Sequence, residues 1–306
     1  MSNNFAIEAR NLSKVFLKDN NKVKALENFS INIPKGSIYG LLGPNGAGKS
    51  TFINILSGIV KKTHGKIIIE GIDQDVDAIA TRRKIGIVPQ ELNIDPFFTP
   101  FELLELQAGL YGIKRKDRRT EQILKDLGLS EQRNAYARTL SGGMRRRLLI
   151  AKALVHNPEV IVLDEPTAGV DVELRQSLWK YVDELRKMGK TICLTTHYLE
   201  EAEKMCDLIT IINKGIKVIE DRKQNLLNLF SNRKVKFDII GENILLPEKL
   251  KPLIYKYEQN SIVLEYNKKN INLRDIIKEF DKNNIIFSEI KTYDEDLESV
   301  FLKMTK

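Results

Sequence analysis

The sequence has 306 residues, 42% of them hydrophobic and 29% charged, a composition typical of a globular protein with a sizeable core. No apolar run approaches the ~18 residues that a membrane-spanning helix needs, and the first residues show no secretory signal, so we expect neither a spanning nor a secreted chain. The formal net charge is +8, but no aromatic residues interleave with the basic runs as a base-stacking surface would need, so direct nucleic-acid binding is not expected. Cys193 and Cys206 lie in or beside apolar segments and predict buried, reduced thiols instead of a disulfide framework.

Short apolar runs rich in β-branched residues predict the strands of the first part of the chain. Several of these runs are apolar at consecutive positions, which is typical of strands covered on both faces, as in a parallel sheet between helices. Between the runs, Ser141 can cap a helix whose apolar stripe reaches Val155 and which Pro158 ends. The predicted strands are 37–42, 66–70, 84–89, 160–164, 191–196 and 208–212.

Two other regions have different patterns. Residues 92–140 contain helical patterns and no strong strand candidate, which indicates a helical insert between segments of the sheet. Beyond residue 225 the apolar residues alternate as in half-exposed strands, with helical patterns between them. We therefore predict a first domain at 1–230 and a small α+β domain at 231–306.

The stretch from Gly43 to Ser50, "GPNGAGKS", fits the pattern G-x-x-x-x-G-K-[ST] at every fixed position. It follows a predicted strand and precedes a predicted helix, which is the context that gives the pattern meaning. Glycines let successive backbone N–H groups point at phosphate oxygens, and the helix N-terminus adds partial positive charge. Lys49 can reach the β- and γ-phosphates, and the hydroxyl of Ser50 can bind Mg²⁺. The predicted nucleotide-binding residues of this loop are Gly43, Asn45, Gly46, Ala47, Gly48, Lys49, Ser50 and Thr51.

Two carboxylates follow the apolar run "VIVL". Asp164 falls at the C-terminal end of a buried strand, where ligands of parallel sheets bind, and we predict that it holds Mg²⁺. Glu165 comes next and cannot face the same way as Asp164 if the strand continues. The sequence therefore predicts Glu165 as the group that polarises an attacking water.

These motifs resemble those of ATP-binding cassette (ABC) ATPases. The resemblance rests on the phosphate loop, "LSGGM" at 140–144 and "LDEPTAGVD" at 163–171, in this order, and it covers about residues 5–220. It implies an α/β fold class: a P-loop nucleotide-binding domain with a mainly parallel core sheet, an N-terminal antiparallel β part and a helical insert, followed by the small C-terminal α+β domain. It also implies ATP and Mg²⁺ as the ligands.

The resemblance assigns roles to further residues. It places Phe16 against the adenine ring, Gln90 at Mg²⁺ and at the link to the insert, and His197 at the γ-phosphate. The predicted catalytic residues are thus Glu165, His197 and Gln90, and the predicted metal ligands are Ser50, Gln90 and Asp164.

The second phosphate-binding motif lies at Ser141, Gly142 and Gly143, which match the family signature that binds the γ-phosphate of the opposite subunit. A helix opened by a serine and two glycines offers bare N–H groups to an anion. Two phosphate sites on one chain favour a homodimer with ATP between its chains, and Asp171 matches the loop that crosses such an interface. Met144 stands where many cassettes have glutamine, which leaves the backbone site intact.

Stretches at 89–112, 195–207 and 293–304 resemble ATPase subunits of two-component, drug- or polysaccharide-type exporters, in which the permease is a separate chain. The resemblance implies an ATP-hydrolysing motor subunit that is cytoplasmic and is held at the inner face of the membrane by an integral-membrane permease. Two alternatives stay open: a soluble cassette ATPase acting on a ribosome or nucleic acid, and an importer subunit. We also expect the groove between the nucleotide core and the insert to receive a short permease helix, with Phe97 and Phe98 among its apolar lining.

Overall fold

The computed structural model describes residues 4–18, 21–168, 170, 172–196, 198–229, 232–241, 246–267, 270–294, 301 and 304. The chain divides between Arg222 and Lys223 into two compact units, each described below by itself. The predicted domain boundary at residue 230 falls one helix later, because the helix Lys223–Leu229 groups with the second unit.

The first unit alternates strands and helices along most of its length. Short 3₁₀ turns cover Arg115–Asp117 and Ala137–Thr139. In chain order its other elements are β1 (Phe5–Lys18), β2 (Asn21–Pro34), β3 (Ile38–Leu42), α1 (Lys49–Leu56), β4 (His64–Ile69), β5 (Ile72–Asp73), α2 (Ala78–Lys84), β6 (Ile85–Val88), α3 (Pro100–Leu110), α4 (Thr120–Asp126), α5 (Gly142–Leu154), β7 (Val160–Asp164), α6 (Val172–Lys187), β8 (Thr191–Thr196), α7 (Leu199–Met205), β9 (Leu208–Asn213) and β10 (Ile216–Arg222).

The core sheet has the strand order β10-β9-β3-β8-β7-β6. All its neighbouring pairs are parallel except the edge pair of β9 and β10. Every residue of β3, β7 and β8 is buried, which explains why their sequences are apolar at consecutive positions. The mainly parallel core sheet predicted from these runs is confirmed.

A second sheet, of order β2-β1-β4-β5, is antiparallel throughout and forms the N-terminal β part that the resemblance implied. The predicted strand 66–70 belongs to this sheet as β4, although its sequence is as apolar as the parallel strands. The burial of β4 differs from that of the parallel strands β3, β7 and β8, which are buried at every residue. In β4, Ile67 and Ile69 are buried, whereas Ile68 between them, which points to the other face of the sheet, is only half-buried.

The region 92–140 contains α3, α4 and the two 3₁₀ turns, and no strand. The start of α3 is fixed by a capping box, in which Thr99 Oγ1 accepts a hydrogen bond from the Glu102 backbone N–H and Glu102 accepts one from the Thr99 N–H. Pro100 occupies the first helical position, which its fixed φ suits.

The second unit contains α8 (Lys223–Leu229), β11 (Asn232–Ile240), a 3₁₀ turn (Lys251–Leu253), β12 (Ile254–Glu258), β13 (Ser261–Asn267), α9 (Leu273–Lys282) and β14 (Ile286–Asp294). Its antiparallel sheet has the order β12-β13-β11-β14, in which β11 lies between β13 and β14, the two strands that α9 connects, as in a split βαβ arrangement. Phe237 of the sheet packs against Phe280 of α9 with ring centroids 4.5 Å apart and the ring planes tilted by 55°, inside a separate hydrophobic core. This is the small α+β domain that was predicted.

Both cysteines are buried and unbridged, as predicted, with Cys193 0% and Cys206 2% exposed. Burial raises the pKa of the Cys193 thiol to about 12. In the part of the chain that the structure describes, no helix is both long enough and apolar enough to cross a membrane.

Candidate functional site

The phosphate loop joins β3 to α1 and requires glycine for reasons of space. A Cβ on Gly43 would lie 2.4 Å from the carbonyl oxygen of Ile212 in β9. A Cβ on Gly48 would lie 2.6 Å from the carbonyl oxygen of Ala25, and Gly48 has a φ of 111°. Gly48 caps α1 without any side-chain hydrogen bond, so the loop presents backbone N–H groups to a ligand.

Lys49 is the first residue of α1 and is 6% exposed. Its Nζ donates hydrogen bonds to the carbonyl oxygens of Gly43 (2.7 Å) and Pro44 (3.2 Å). Burial lowers the pKa of Lys49, and the nearby charges of Glu165 and Asp164 oppose that shift. The side chain is therefore a cation held over the loop, next to two carboxylates.

A cavity of about 160 Å³ lies at this loop and gathers most of the predicted site. It brings Gln90 and Glu165, which are distant in sequence, against the glycine-rich loop. Its lining residues are Ala25, Asn45, Gly46, Ala47, Gly48, Lys49, Ser50, Thr51, Gln90 and Glu165.

Asp164 ends β7, and its side chain is held by the neighbouring strand. Thr195 Oγ1, on β8, donates a hydrogen bond of 2.5 Å to Asp164 Oδ1. Burial raises the pKa of Asp164, whereas the hydrogen bond from Thr195 and the charges of Lys49 and Arg146 lower it.

Glu165 leaves the strand direction at once, with a φ of 46° that few non-glycine residues adopt. Its backbone N–H is held by Thr195, at 3.1 Å from both the carbonyl oxygen and Oγ1. Its Oε2 accepts a hydrogen bond of 3.1 Å from Gln90 Nε2. The turn in the backbone therefore places the two adjacent carboxylates in different surroundings, with Glu165 against the loop cavity.

The oxygen donors around the cavity fit a hard divalent cation. The Ser50 hydroxyl, the Asp164 carboxylate and the Gln90 amide oxygen are ligand types that Mg²⁺ accepts. Among the described residues, no group of three or more His, Cys, Asp or Glu side chains could hold a metal alone. A cation here would depend on few protein ligands together with oxygens of phosphate and water, which is the usual coordination of Mg²⁺.

The signature residues lie in a separate cavity, of about 700 Å³, at the start of α5. Ser141 caps α5 as predicted, because its Oγ accepts a hydrogen bond of 3.2 Å from the Met144 backbone N–H. A Cβ on Gly142 would meet nothing within 4 Å, so this helix start faces open space. Gln90 lines both cavities, whereas Ser141, Gly142 and Gly143 line only this one.

Several predicted residues are not among those that line the phosphate cavity. Gly43 and Asp164 lie next to lining residues in the chain, and the signature residues line the other cavity. Phe16 lies on β1, 38% exposed, with Lys14 Nζ 4.6 Å from its ring centroid. Asp171 and His197 lie outside the described residues, so their roles stay predictions.

The sequence analysis did not identify Arg146 and Thr195 as part of the site. Arg146 belongs to the basic run 144–147, to which no role in the site was assigned, and it is 2% exposed. Its position three and four residues before the buried Leu149 and Ile150 was the available signal, because that spacing puts all three on one helix face.

The groove between core and insert is a third cavity, of about 310 Å³. Arg82 of α2 lines it from the core, Gln107 of α3 from the insert, and Lys152 from α5. The ring of Tyr111 stacks on that of His156 with centroids 3.9 Å apart, and His156 Nε2 donates to the Ile85 carbonyl oxygen (3.1 Å).

Phe97 and Phe98 do not line this groove, contrary to the sequence analysis. Phe97 is 67% exposed and lies beneath Arg138, whose guanidinium carbon is 5.7 Å from the ring centroid. The Phe98 carbonyl accepts a hydrogen bond from the Ala137 N–H (2.9 Å). The segment that carries Phe97 and Phe98 therefore packs against the residues that precede the signature, not into the groove.

Comparison with known proteins agrees with this geometry. The family model described as ABC transporter matches residues 26–168. The linearmycin resistance ATP-binding protein LnrL of Bacillus subtilis is 37% identical over 222 residues, covering 72% of this chain and 70% of that protein. The Nod factor export ATP-binding protein I of Rhizobium etli is 37% identical over 256 residues, covering 82% and 78%.

Solved structures give the same result. The dimeric structure of MJ0796, a bacterial ABC transporter cassette, has a TM-score of 0.64 and 30% identity, covering 71% of this chain and 98% of that one. The same cassette has been solved as a dimer in a post-hydrolysis state with ADP and Pi, at the same similarity. The phosphate cavity, the paired carboxylates, the outward-facing signature helix and these matches together show that the chain belongs to the ATP-binding proteins of ABC transporters and is an ATPase.

Proposed function

We propose that this ATPase is the motor subunit of a membrane exporter whose permease is a separate chain. The observation that carries the proposal is the extent of the match to the Nod factor export protein, which covers 82% of this chain. The first unit ends at Arg222, so a match over 256 residues must continue into the second unit. The shared region is therefore larger than the cassette alone, which favours an exporter over other cassette ATPases.

In the proposed reaction, the N–H groups of the loop and Lys49 bind the β- and γ-phosphates of ATP. Glu165 accepts a proton from the attacking water, and Gln90 orients the Glu165 carboxylate through its Oε2. Ser50, Gln90 and Asp164 would hold Mg²⁺, which neutralises phosphate charge when bound. By resemblance alone, His197 contacts the γ-phosphate, Phe16 stacks on adenine and Asp171 lies at the dimer interface.

The functional unit is proposed to be a homodimer with two ATP molecules between its chains. The two phosphate-type sites of one chain line different cavities, and the signature site is open to a partner. Ser141, Gly142 and Gly143 of each chain would bind the γ-phosphate held by the other chain's loop.

The groove is proposed to receive a short cytoplasmic helix of the permease, which would hold this subunit at the inner face of the membrane. Two cations, Arg82 and Lys152, line the groove, and among the described residues no Asp or Glu does. Exposed apolar side chains lie one helical turn from the lining: Ile79 before Arg82, and Leu110 after Gln107. An amphipathic helix with acidic side chains would match this combination of charge and apolar surface.

Charge reversal in the groove tests the proposal. The double change Arg82→Glu with Lys152→Glu should lower co-purification with a co-expressed candidate permease, a membrane protein, by ~10-fold or more, because like charges across an interface cost several kcal/mol. ATP hydrolysis by the isolated chain should stay within about 2-fold of the parent, since neither residue lines the phosphate cavity.

Arg83→Glu is the matched control, because Arg83 is exposed on α2 outside the groove lining. A complex recovered at the parental level from the double variant would contradict the groove assignment. Absence of any complex between the parental chain and that membrane protein would contradict the exporter partnership itself.

A further inference from the structure

Arg146 makes a set of hydrogen bonds that joins three parts of the first unit. It lies in the second turn of α5, the helix that Ser141 opens, and it is among the largest fully buried side chains. Its Nη1 donates to the carbonyl oxygens of Pro89 (2.8 Å) and Gln90 (2.9 Å). Its Nη2 donates to the Glu165 carbonyl (2.6 Å), and its Nε to the Pro166 carbonyl (2.9 Å).

Four of the five guanidinium N–H groups are thus used on the backbones of two separate loops. The first loop carries Gln90 and the second carries Glu165, the two side chains that hydrogen-bond at the phosphate cavity. A planar, rigid fork suits this task, because it fixes the distance between the two loops as well as their orientation.

The backbone of Glu165 is the most constrained point. Its left-handed φ of 46° is unfavourable for a residue other than glycine and persists only if its surroundings hold it. Thr195 holds the N–H of Glu165 and Arg146 holds its C=O. These bonds together fix the direction in which the carboxylate leaves the chain.

Charge supports the same arrangement. Burial lowers the pKa of Arg146, and the carboxylates of Asp164 and Glu165 oppose that shift. The guanidinium therefore also offsets part of the repulsion between two adjacent buried carboxylates.

We infer that Arg146 is a positioning residue for ATP hydrolysis, which ties the helix that carries the signature to the loops that carry Gln90 and Glu165 of the same chain. The inference rests on the roles given to Gln90 and Glu165 in the proposed function. In the proposed homodimer, Ser141 engages the nucleotide of the partner. When that contact forms and α5 shifts, Arg146 transmits the shift to the water-polarising carboxylate of its own chain. The occupancy of one nucleotide site thereby affects catalysis at the other.

Two substitutions test the inference in the full chain. Arg146→Met keeps the length and removes the charge and the donors, and Arg146→Lys keeps the charge but not the fork. We expect Arg146→Met to lower kcat by ~10–100-fold, because small misplacement of a reacting group has effects of that size. The affinity for a fluorescent ATP analogue should change by less than about 3-fold, since Arg146 does not line the phosphate cavity. Arg146→Lys should recover part of kcat.

Arg145→Met is the matched control, because Arg145 is the neighbouring arginine on α5 and donates no hydrogen bond to either loop. It should keep kcat and analogue affinity. Every rate of phosphate release is divided by the concentration of sites that bind the analogue. A variant that is partly unfolded therefore does not show a lowered kcat together with an unchanged affinity. If Arg146→Met does not bind the analogue, the kcat and the analogue affinity of Arg146→Lys test the inference instead.

Normal kcat per binding site in both variants would overturn the inference. Loss of analogue binding in both variants would also overturn it, since Arg146 would then only support the fold. Glu165→Gln in the same assay separates this inference from the proposed function. Persistent turnover in Glu165→Gln removes the assigned role of Glu165, whereas an inactive Glu165→Gln beside fully active Arg146 variants removes only the role of Arg146.

Discussion

The starts of α1 and α5 are both suited to binding an anion, but they differ in how much space surrounds them. Both are helix N-termini preceded by a glycine or serine, and both present backbone N–H groups to an anion. The start of α1 and the loop before it are enclosed. A Cβ on the N-cap Gly48 would lie 2.6 Å from the Ala25 carbonyl oxygen, and a Cβ on Gly43 in the loop would lie 2.4 Å from a backbone oxygen of β9. The start of α5 is open, since a Cβ on Gly142 would meet nothing within 4 Å.

The contrast fits the proposed homodimer, in which one chain carries the phosphate loop of one site and the signature of the other. The enclosed helix start has Lys49, Gln90 and Glu165 around it in a single cavity. The open start has its own cap, Ser141, and in the proposed homodimer it would bind a phosphate held by the other chain. Three experiments distinguish the enclosed site from the open one.

The largest effect is expected at the enclosed site from Glu165→Gln. The carboxamide cannot accept a proton from water, so phosphate release should fall by ~10²–10⁴-fold while ATP binding is kept. Mg-ATP should then accumulate a dimer, measurable by size-exclusion chromatography. Glu131→Gln, at an exposed position of the insert, is the control for loss of a carboxylate. Near-normal phosphate release from Glu165→Gln would disprove the assignment.

A smaller effect should separate the two sites directly. Lys49→Ala removes the cation at the phosphates and should weaken ATP binding by about 10–100-fold. Ser141→Arg adds bulk and charge at the open helix start, so it should block dimer formation and hydrolysis while ATP binding by the monomer stays within about 3-fold. Equilibrium binding of a fluorescent ATP analogue and phosphate release are the two measurements.

If Ser141→Arg abolished nucleotide binding by the monomer, the open site would not act across an interface. Mixing Ser141→Arg with Lys49→Ala gives a further check, because a mixed dimer can contain one composite site without either change. A return of phosphate release in the mixture would support the composite site.

The smallest effect concerns stability. Gly43→Ala places a Cβ against the Ile212 carbonyl and should cost about 1–3 kcal/mol, lowering the Tm by several degrees. Gly142→Ala should change the free energy of unfolding by no more than about 0.5 kcal/mol. Thermal unfolding followed by circular dichroism, without nucleotide, measures both. Equal losses of Tm at the two positions would contradict the contrast between an enclosed and an open helix start.

Local features of this molecule were predictable from sequence because they depend on short stretches. The phosphate loop, the carboxylates at the end of β7 and the Ser141 cap each need only a few consecutive residues, and the structure has them where they were predicted. The runs that are apolar at consecutive positions likewise predicted a sheet buried on both faces.

Features that depend on distant contacts were missed. Arg146 was not assigned to the site because its four acceptors lie in loops more than fifteen residues away along the chain. β4 was grouped with the parallel strands because apolar content does not reveal which sheet a strand joins. Phe97 was assigned to the groove, although it is 67% exposed and its ring lies near Arg138 and not in the groove lining.

The burial of both native thiols makes the chain suited to chemical labelling. A thiol with a pKa of about 12 carries almost no reactive thiolate near neutral pH, and Cys206 is buried as well. Maleimides and oxidants therefore have no ready target among the native thiols, and a cysteine placed at exposed Asn45 or Gly142 becomes the reactive one. A pair of single-cysteine chains, one altered at each helix start, could be cross-linked without first replacing the native residues. Because the native thiols do not react, the labelling signal comes from the introduced cysteines alone, and the cross-link measures how two copies approach each other.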